Sequence, residues 1–183
     1  MPITADHETR TPPSDAPALL SGRWLVDPQA SHIGFVAGNL GGLVKTPGRF
    51  PSLSGDLVVD QGRAAGALAI DASSIDTGNR MRDRHLRSRD FFDAKRHPQL
   101  RYEVHSISHQ DPTTTRIDGE LIVADTRAPF PLDVTLRAPS DDVVELACHT
   151  EVDRVALGIR GMRGMVARAV DLDVEITLRR AVS

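Results

Sequence analysis

Residues 73–98, SSIDTGNRMRDRHLRSRDFFDAKRHP, form the only long segment of the chain that refuses the alternation of a β-strand. Asn79 can accept from the free amides of a first helical turn, which predicts a short helix over 80–88. Within it Asp83 and Arg87 lie one turn apart with the acid first, the favourable order for a side-chain pair. The apolar content is thin, Met81 and Leu86 and then Phe91 and Phe92, so the helix has to rest on a larger body. Between residues 80 and 96 six Arg and one Lys face three Asp, in a chain whose net charge is −3. Cations are gathered here.

Outside that segment the chain alternates. Residues 23–27, RWLVD, open a first strand that Pro28 and Gln29 break. Ile33, Phe35 and Ala37 then mark one face of a second, and Gly38, Gly41 and Gly42 flank a mouth loop running to Pro47. Leu57 and Val59 follow, then a turn at Gln61 and Gly62 and a strand whose inward set is either Ala67 and Ala69 or Leu68 and Ile70. Beyond Pro98 the inward sets are Leu100, Tyr102 and Val104, then Ile117, Gly119, Leu121 and Val123. Pro129 and Pro131 bracket Phe130 and confine it to a bend or an unpaired edge. The alternation resumes at Leu132, Val134 and Leu136, turns near Pro139, and continues through Val144, Leu146 and Cys148. Gly158, Gly161 and Gly164, with Met162 and Met165 between, make a flexible apolar loop. The last strand is the clearest: Val170, Leu172, Val174, Ile176 and Leu178 share a face, and burying them contributes roughly 1.5–3 kcal/mol apiece.

This gives eight or nine short antiparallel strands and one helical insertion, for which barrel and sandwich compete. The strings SIDTGN at 74–79, RDRHLRS at 82–88 and DFFD at 90–93, with Pro98 after them, resemble the signature of the YceI-like family of polyisoprenoid-binding proteins, and the likeness extends more loosely over 24–178. The resemblance decides for an all-β fold, an antiparallel eight-stranded or slightly larger lipocalin-like barrel with one short helical insertion. It also implies a long isoprenoid chain held inside. The chain departs from the family pattern at Ala30 and Asn39, where relatives carry histidines. It departs again at Asp153, Arg154, Leu157 and Gly158, which stand where relatives read Arg-Asp-Phe-Gly.

A length of 183 residues suits one domain, expected over 23–183 behind a polar, proline-rich disordered tail over 1–22. The opening residues have no basic and apolar regions of secretory type, so the expected location is cytoplasmic, unlike the many relatives with a secretory signal. No apolar run is long enough to cross a bilayer. Aromatic residues are only 4% of the chain, which predicts an interior filled by Val, Leu, Ile and Ala. The one cysteine, Cys148, excludes an internal disulfide and reads as a buried small hydrophobe.

An eight-stranded barrel is just wide enough to be filled by its own side chains or to hold one small ligand. With few aromatics to fill it, a cavity follows, and a prenyl chain entering gains about 0.8 kcal/mol per buried CH₂ without any catalytic group. The residues expected against such a lipid are Ile33, Phe35, Leu40, Leu43, Met81, Leu86, Phe91, Tyr102, Leu121, Val134, Leu146, Val174 and Ile176. Asn39, Arg82 and His85 are the candidates for its head group. The ligand is a polyisoprenoid, a quinone or a prenyl pyrophosphate, and no cofactor, metal or catalytic residue is expected. His105 and His109 would stand about 13 Å apart on a regular strand, too far for one ion. No HExxH, GxSxG or Cys-His pattern is present. The competing readings are an enzyme with a site at the mouth and a filled barrel acting through its surface in a stress response. The net charge, with no aromatics among the arginines, argues against nucleic acid. The strand edge near Pro129 and the family resemblance favour a homodimer.

Overall fold

A computed structural model of the chain describes residues 21–181 apart from 40, 42, 61–62, 112, 138–139 and 163. The tail expected over 1–22 lies outside these up to residue 20, as do Leu40 and the turns at Gln61, Gly62 and Pro139. Gly22 belongs instead to the first strand, opposite Val59. The strands are β1 (Gly22–Val26), β2 (His32–Asn39), β3 (Val44–Phe50), β4 (Leu53–Asp60), β5 (Arg63–Asp71) and β6 (Gln99–His109). They continue as β7 (Thr114–Val123), β8 (Thr126–Pro129), β9 (Leu132–Arg137), β10 (Val143–Asp153) and β11 (Val166–Arg180). Between β5 and β6 come a 3-10 turn (Ala72–Ser74) and the helix α1 (Arg80–Leu86).

β1, β4, β5, β6, β7, β9, β10 and β11 follow one another around a ring of antiparallel pairs, and Trp24–Arg180, Leu25–Arg179 and Val26–Leu178 close it. Closure leaves no pair of free edges in the ring, which removes the sandwich. Two strands serve different partners along their length. β11 pairs with β1 at its end and with β2 over 166–175, while β7 pairs with β9 over 114–117 and with β8 over 120–123. The switches fall at Pro28 and at Pro129 to Pro131, where the missing N–H lets the chain leave one ladder and join another. One half of the barrel is thus walled by β1 and β9. The other half is walled by the β2–β3 hairpin and β8, and it is roofed by residues 72–98 and the loop 154–165.

The inward sets come out as the alternation predicts, and in β5 they are Leu68 and Ile70. A bulge between Val104 and Ser106 resets β6, so Ile107 rather than an even-numbered residue packs on the core. Thr177 is buried despite its outward parity, because its N–H donates to the Ser31 hydroxyl and its own hydroxyl donates to the Ala30 carbonyl. Trp24, one inward position beyond Val26, is 0% exposed and stops the β1–β9 end.

Three local expectations fail. The mouth loop does not run from Gly38 to Pro47, since both are in the β2–β3 ladder, opposite Lys45 and Val36. The helix ends at Leu86 rather than Ser88, because the Ser88 N–H turns back to the His85 carbonyl. Asp83 does not meet Arg87. Its buried carboxylate accepts from the N–H and hydroxyl of Thr77 at 2.9 and 2.6 Å, and the Arg87 guanidinium donates to the Ile75 carbonyl at 2.7 Å. A carboxylate taken from water needs donors, and the preceding turn supplies them.

Candidate apolar cavity

Under the roof lies a cavity of about 180 Å³ walled by β2, β3, β5, β6, β7 and β11. Apart from Arg154, its lining is aliphatic or aromatic. All five phenylalanines of the chain, Phe35, Phe50, Phe91, Phe92 and Phe130, line it together with Tyr102, the one tyrosine. Most of the lining is Val, Leu, Ile and Ala as expected, but the few aromatics are concentrated in this chamber. Phe50 stands between Phe35 and Phe92 with ring centroids 5.7 Å from each, within the range of favourable aromatic pairs. Phe35 has room because residue 48 is Gly; a Cβ there would lie 2.2 Å from the ring.

A second chamber of about 80 Å³ lies toward the Trp24 end and is aliphatic but for Tyr102, Cys148 and Asp56, with Leu57, Val134, Leu146 and Ile176 in its wall. Leu68, Tyr102, Leu132 and Val174 border both chambers. Tyr102 is held in that waist from three sides. Its hydroxyl donates to the Ile117 carbonyl at 3.3 Å, its ring meets Phe130 edge-on, and it lies over Gly119, where a Cβ would come within 2.7 Å of it. Burial raises the Tyr102 pKa well above the ordinary tyrosine value, so the phenol stays protonated and can donate. Cys148 is half-buried, and burial pushes its thiol up to about 11, in keeping with a small apolar wall residue.

Arg154 ties the roof down. It is 5% exposed, and its guanidinium donates to the carbonyls of Ile159, Gly161, Val166 and Ala167 at 2.8–2.9 Å. The loop 154–165 is thereby wrapped around one cation whose donors face backbone rather than the cavity. Opposite, α1 starts at Asn79, which accepts from the N–H groups of Met81 and Arg82, and presents Leu86 to the cavity.

Of the expected lining residues, Ile33, Phe35, Leu86, Phe91, Tyr102, Leu121 and Val174 border the larger chamber, and Val134, Leu146 and Ile176 the smaller. Leu43 and Met81 do not line either: they are 88% and 82% exposed. Leu43 stands at the β2–β3 turn, and Met81 is five residues before Leu86, on another side of a 3.6-residue helix. The head-group candidates do not converge on the cavity. Asn39 donates to the Thr46 hydroxyl at 2.7 Å, Arg82 donates to the hydroxyl and carbonyl of Thr77, and His85 lies 3.5 Å from Asp90. His85 comes nearest, its ring edge-on to Phe91 at 5.1 Å. Sequence reading missed Arg154, Trp24, Phe50, Phe92 and Phe130. The match of Asp153, Arg154, Leu157 and Gly158 to the family's Arg-Asp-Phe-Gly was the available signal for Arg154.

His149 is exposed as its parity predicts, and a 2.8 Å contact with Asp173 raises its pKa. Among the described residues no group of three His, Cys, Asp or Glu side chains could hold a metal, and no helix is long and apolar enough to cross a membrane.

A closed antiparallel barrel with a dry, roofed interior is the architecture of a small-ligand container. A YceI-like domain model matches residues 24–178, and the chain belongs to that family. It is 25% identical over 125 residues to the UPF0312 protein VPA0850 of Vibrio parahaemolyticus, a match covering 65% of each chain. The chain thus spans just under two thirds of that relative's length. Its fold is similar to the crystal structure of BcnA from Burkholderia cenocepacia, with a TM-score of 0.74 and 21% identity over 83% of this chain and 98% of that one. It is also similar to a polyisoprenoid binding domain from Saccharophagus degradans implicated in plant cell wall breakdown, with a TM-score of 0.72 and 16% identity over 86% and 98%.

Proposed function

We propose that the chain binds one long apolar molecule, a polyisoprenoid or a related amphiphile such as a quinone, inside the barrel and serves as its carrier or sequestering protein. The observation that carries this reading is the larger chamber, about 180 Å³ of space lined by aliphatic and aromatic side chains apart from Arg154, whose guanidinium donates to backbone carbonyls. An apolar void of about 150 Å³ stays dry and takes up apolar guests. Each chain carbon buried there contributes ~0.8 kcal/mol gross, set against an association cost of ~4 kcal/mol or more. The cluster of Phe35, Phe50 and Phe92 suits unsaturated carbon, either the double bonds of a prenyl chain or a quinone ring. The polyisoprenoid binding domain named above shares the fold and supports the same ligand class. Of the three head-group positions His85 is retained, since its ring touches the lining Phe91.

The test is organic extraction of the purified protein followed by mass spectrometry, with titration of the emptied protein by prenols and quinones. An apolar chain in the extract, or micromolar uptake, is expected. Recovery of no apolar compound together with no uptake of any of them removes the proposal.

A further inference from the structure

Leu43, Val44, Met162 and Met165 are among the few large apolar side chains exposed in the described residues, and all four belong to one end of the molecule. The ladder places them there. Asn39 is the rung partner of both Val166 and Val44, and Val166 and Met165 both donate to the Met162 carbonyl, so the 161–165 turn lies beside the β2–β3 turn. The antiparallel bridge between Arg49 and Asp76 starts the following chain, which leads to α1 and its exposed Met81, beside β3 and pointing toward Val44.

The charge left unpaired at this end has one sign. Residues 38–50 contain Lys45 and Arg49 and residues 154–168 contain four arginines, with no Asp or Glu in either stretch. Arg49 and Arg168 are paired with Asp76 and Asp153, whereas among the described residues Lys45, Arg80, Arg84 and Arg160 have no acidic partner. The one acid of α1, Asp83, is buried and occupied by Thr77. A chain of net charge −3 thus carries an apolar tip ringed by cations, on the same segments that wall and roof the larger chamber.

We propose that this tip docks on an anionic lipid bilayer, with Leu43, Val44, Met162 and Met165 entering the interface and the surrounding Lys45, Arg80, Arg84 and Arg160 facing the headgroups. Apolar side chains within a basic surround are what an interfacial contact requires, because each supplies what the other lacks. The inference needs no cargo in the barrel and so stands or falls separately from the proposed ligand.

The experiment is sedimentation of the full chain with vesicles of phosphatidylcholine alone and of phosphatidylcholine mixed with phosphatidylglycerol. Binding to the mixed vesicles only is expected, with release near 1 M salt, where the screening length is about 3 Å. The double variant Leu43→Ser, Met165→Ser should bind about tenfold more weakly at an unchanged melting temperature, since both side chains are exposed. Equal binding to both vesicle types, wild-type binding by the double variant, or capture of an acidic polypeptide with no vesicle binding would each overturn the proposal.

Discussion

Replacing Tyr102 by Leu removes the ring that separates the two chambers while keeping the waist apolar. The lost ring and a small void cost about 2 kcal/mol of stability, toward the lower end of large-to-small core changes. The hydroxyl bond adds little to that, because 3.3 Å is long. In return the chamber of about 80 Å³ joins the larger one. Room for about one more isoprene unit means five more buried carbons, ~4 kcal/mol gross; if ordering takes half, a longer prenol gains about thirtyfold in affinity. The assay is titration of wild type and variant with prenols of increasing chain length, alongside urea denaturation. The preferred length should move up by about one unit in the variant, with the short prenols little changed. If both proteins take up prenols with the same preferred length, Tyr102 is no partition and this reasoning is refuted.

Arg154→Met should destabilise the protein by about 3–5 kcal/mol, the usual cost of breaking a buried charged network, seen as a lower urea midpoint; Arg154→Lys cannot reach four carbonyls at once and should recover little. Cys148 should alkylate slowly at pH 8 and faster toward pH 11, because the thiolate is the nucleophile, and a chain filling the smaller chamber should slow it further; rapid labelling at pH 7 would place the thiol outside the barrel. Five carboxylates are held below their ordinary values: the half-buried Asp27, Glu103, Asp153 and Asp76, and the exposed Asp111, which accepts from Thr113 and Thr114. Hydrogen bonds from Arg179, Arg127 and Arg168 act on Asp27, Glu103 and Asp153, and those from the Gly78 N–H and then Arg49 act on Asp76. A group with a lowered folded pKa stabilises above its unfolded value, so the carboxylate contribution to the melting temperature should be flat from pH 7 to about 5 and fall below about 4. His149 has the opposite sign: its raised pKa gives a contribution present below about pH 6.5 and lost as pH rises through the folded value, and His149→Gln should abolish that small slope.

The strand content was legible because the side-chain period of 2 is local; Val170 to Leu178 needed nothing but their own order to be read. Closure was not local. It depends on Val26 meeting Leu178 across the whole chain, and only the resemblance carried by 74–93 pointed to it. The parity of β5 was unreadable because Ala67, Leu68, Ala69 and Ile70 are all apolar, and the β6 bulge shifts Ile107 through a contact with β7 that no local pattern records. For the cavity, the strand-borne lining residues were found by alternation. Phe50, Phe92 and Phe130 were missed because they come from a strand end, a roof segment and a proline-bracketed bend, where no period applies. Leu43 and Met81 were misplaced for the converse reason: being apolar near the mouth does not fix which way a turn or a short helix faces.

The β2–β3 hairpin hangs from β11 on one side and touches the roof on the other through the bridge at Arg49 and Asp76 and the Phe50–Phe92 ring contact. The eight-strand ring closes without it. Lengthening or trimming this flap would resize the container while the hoop below keeps every rung, so relatives can diverge in the guest they accommodate without refolding the frame. Anyone wishing to retarget the protein should begin there.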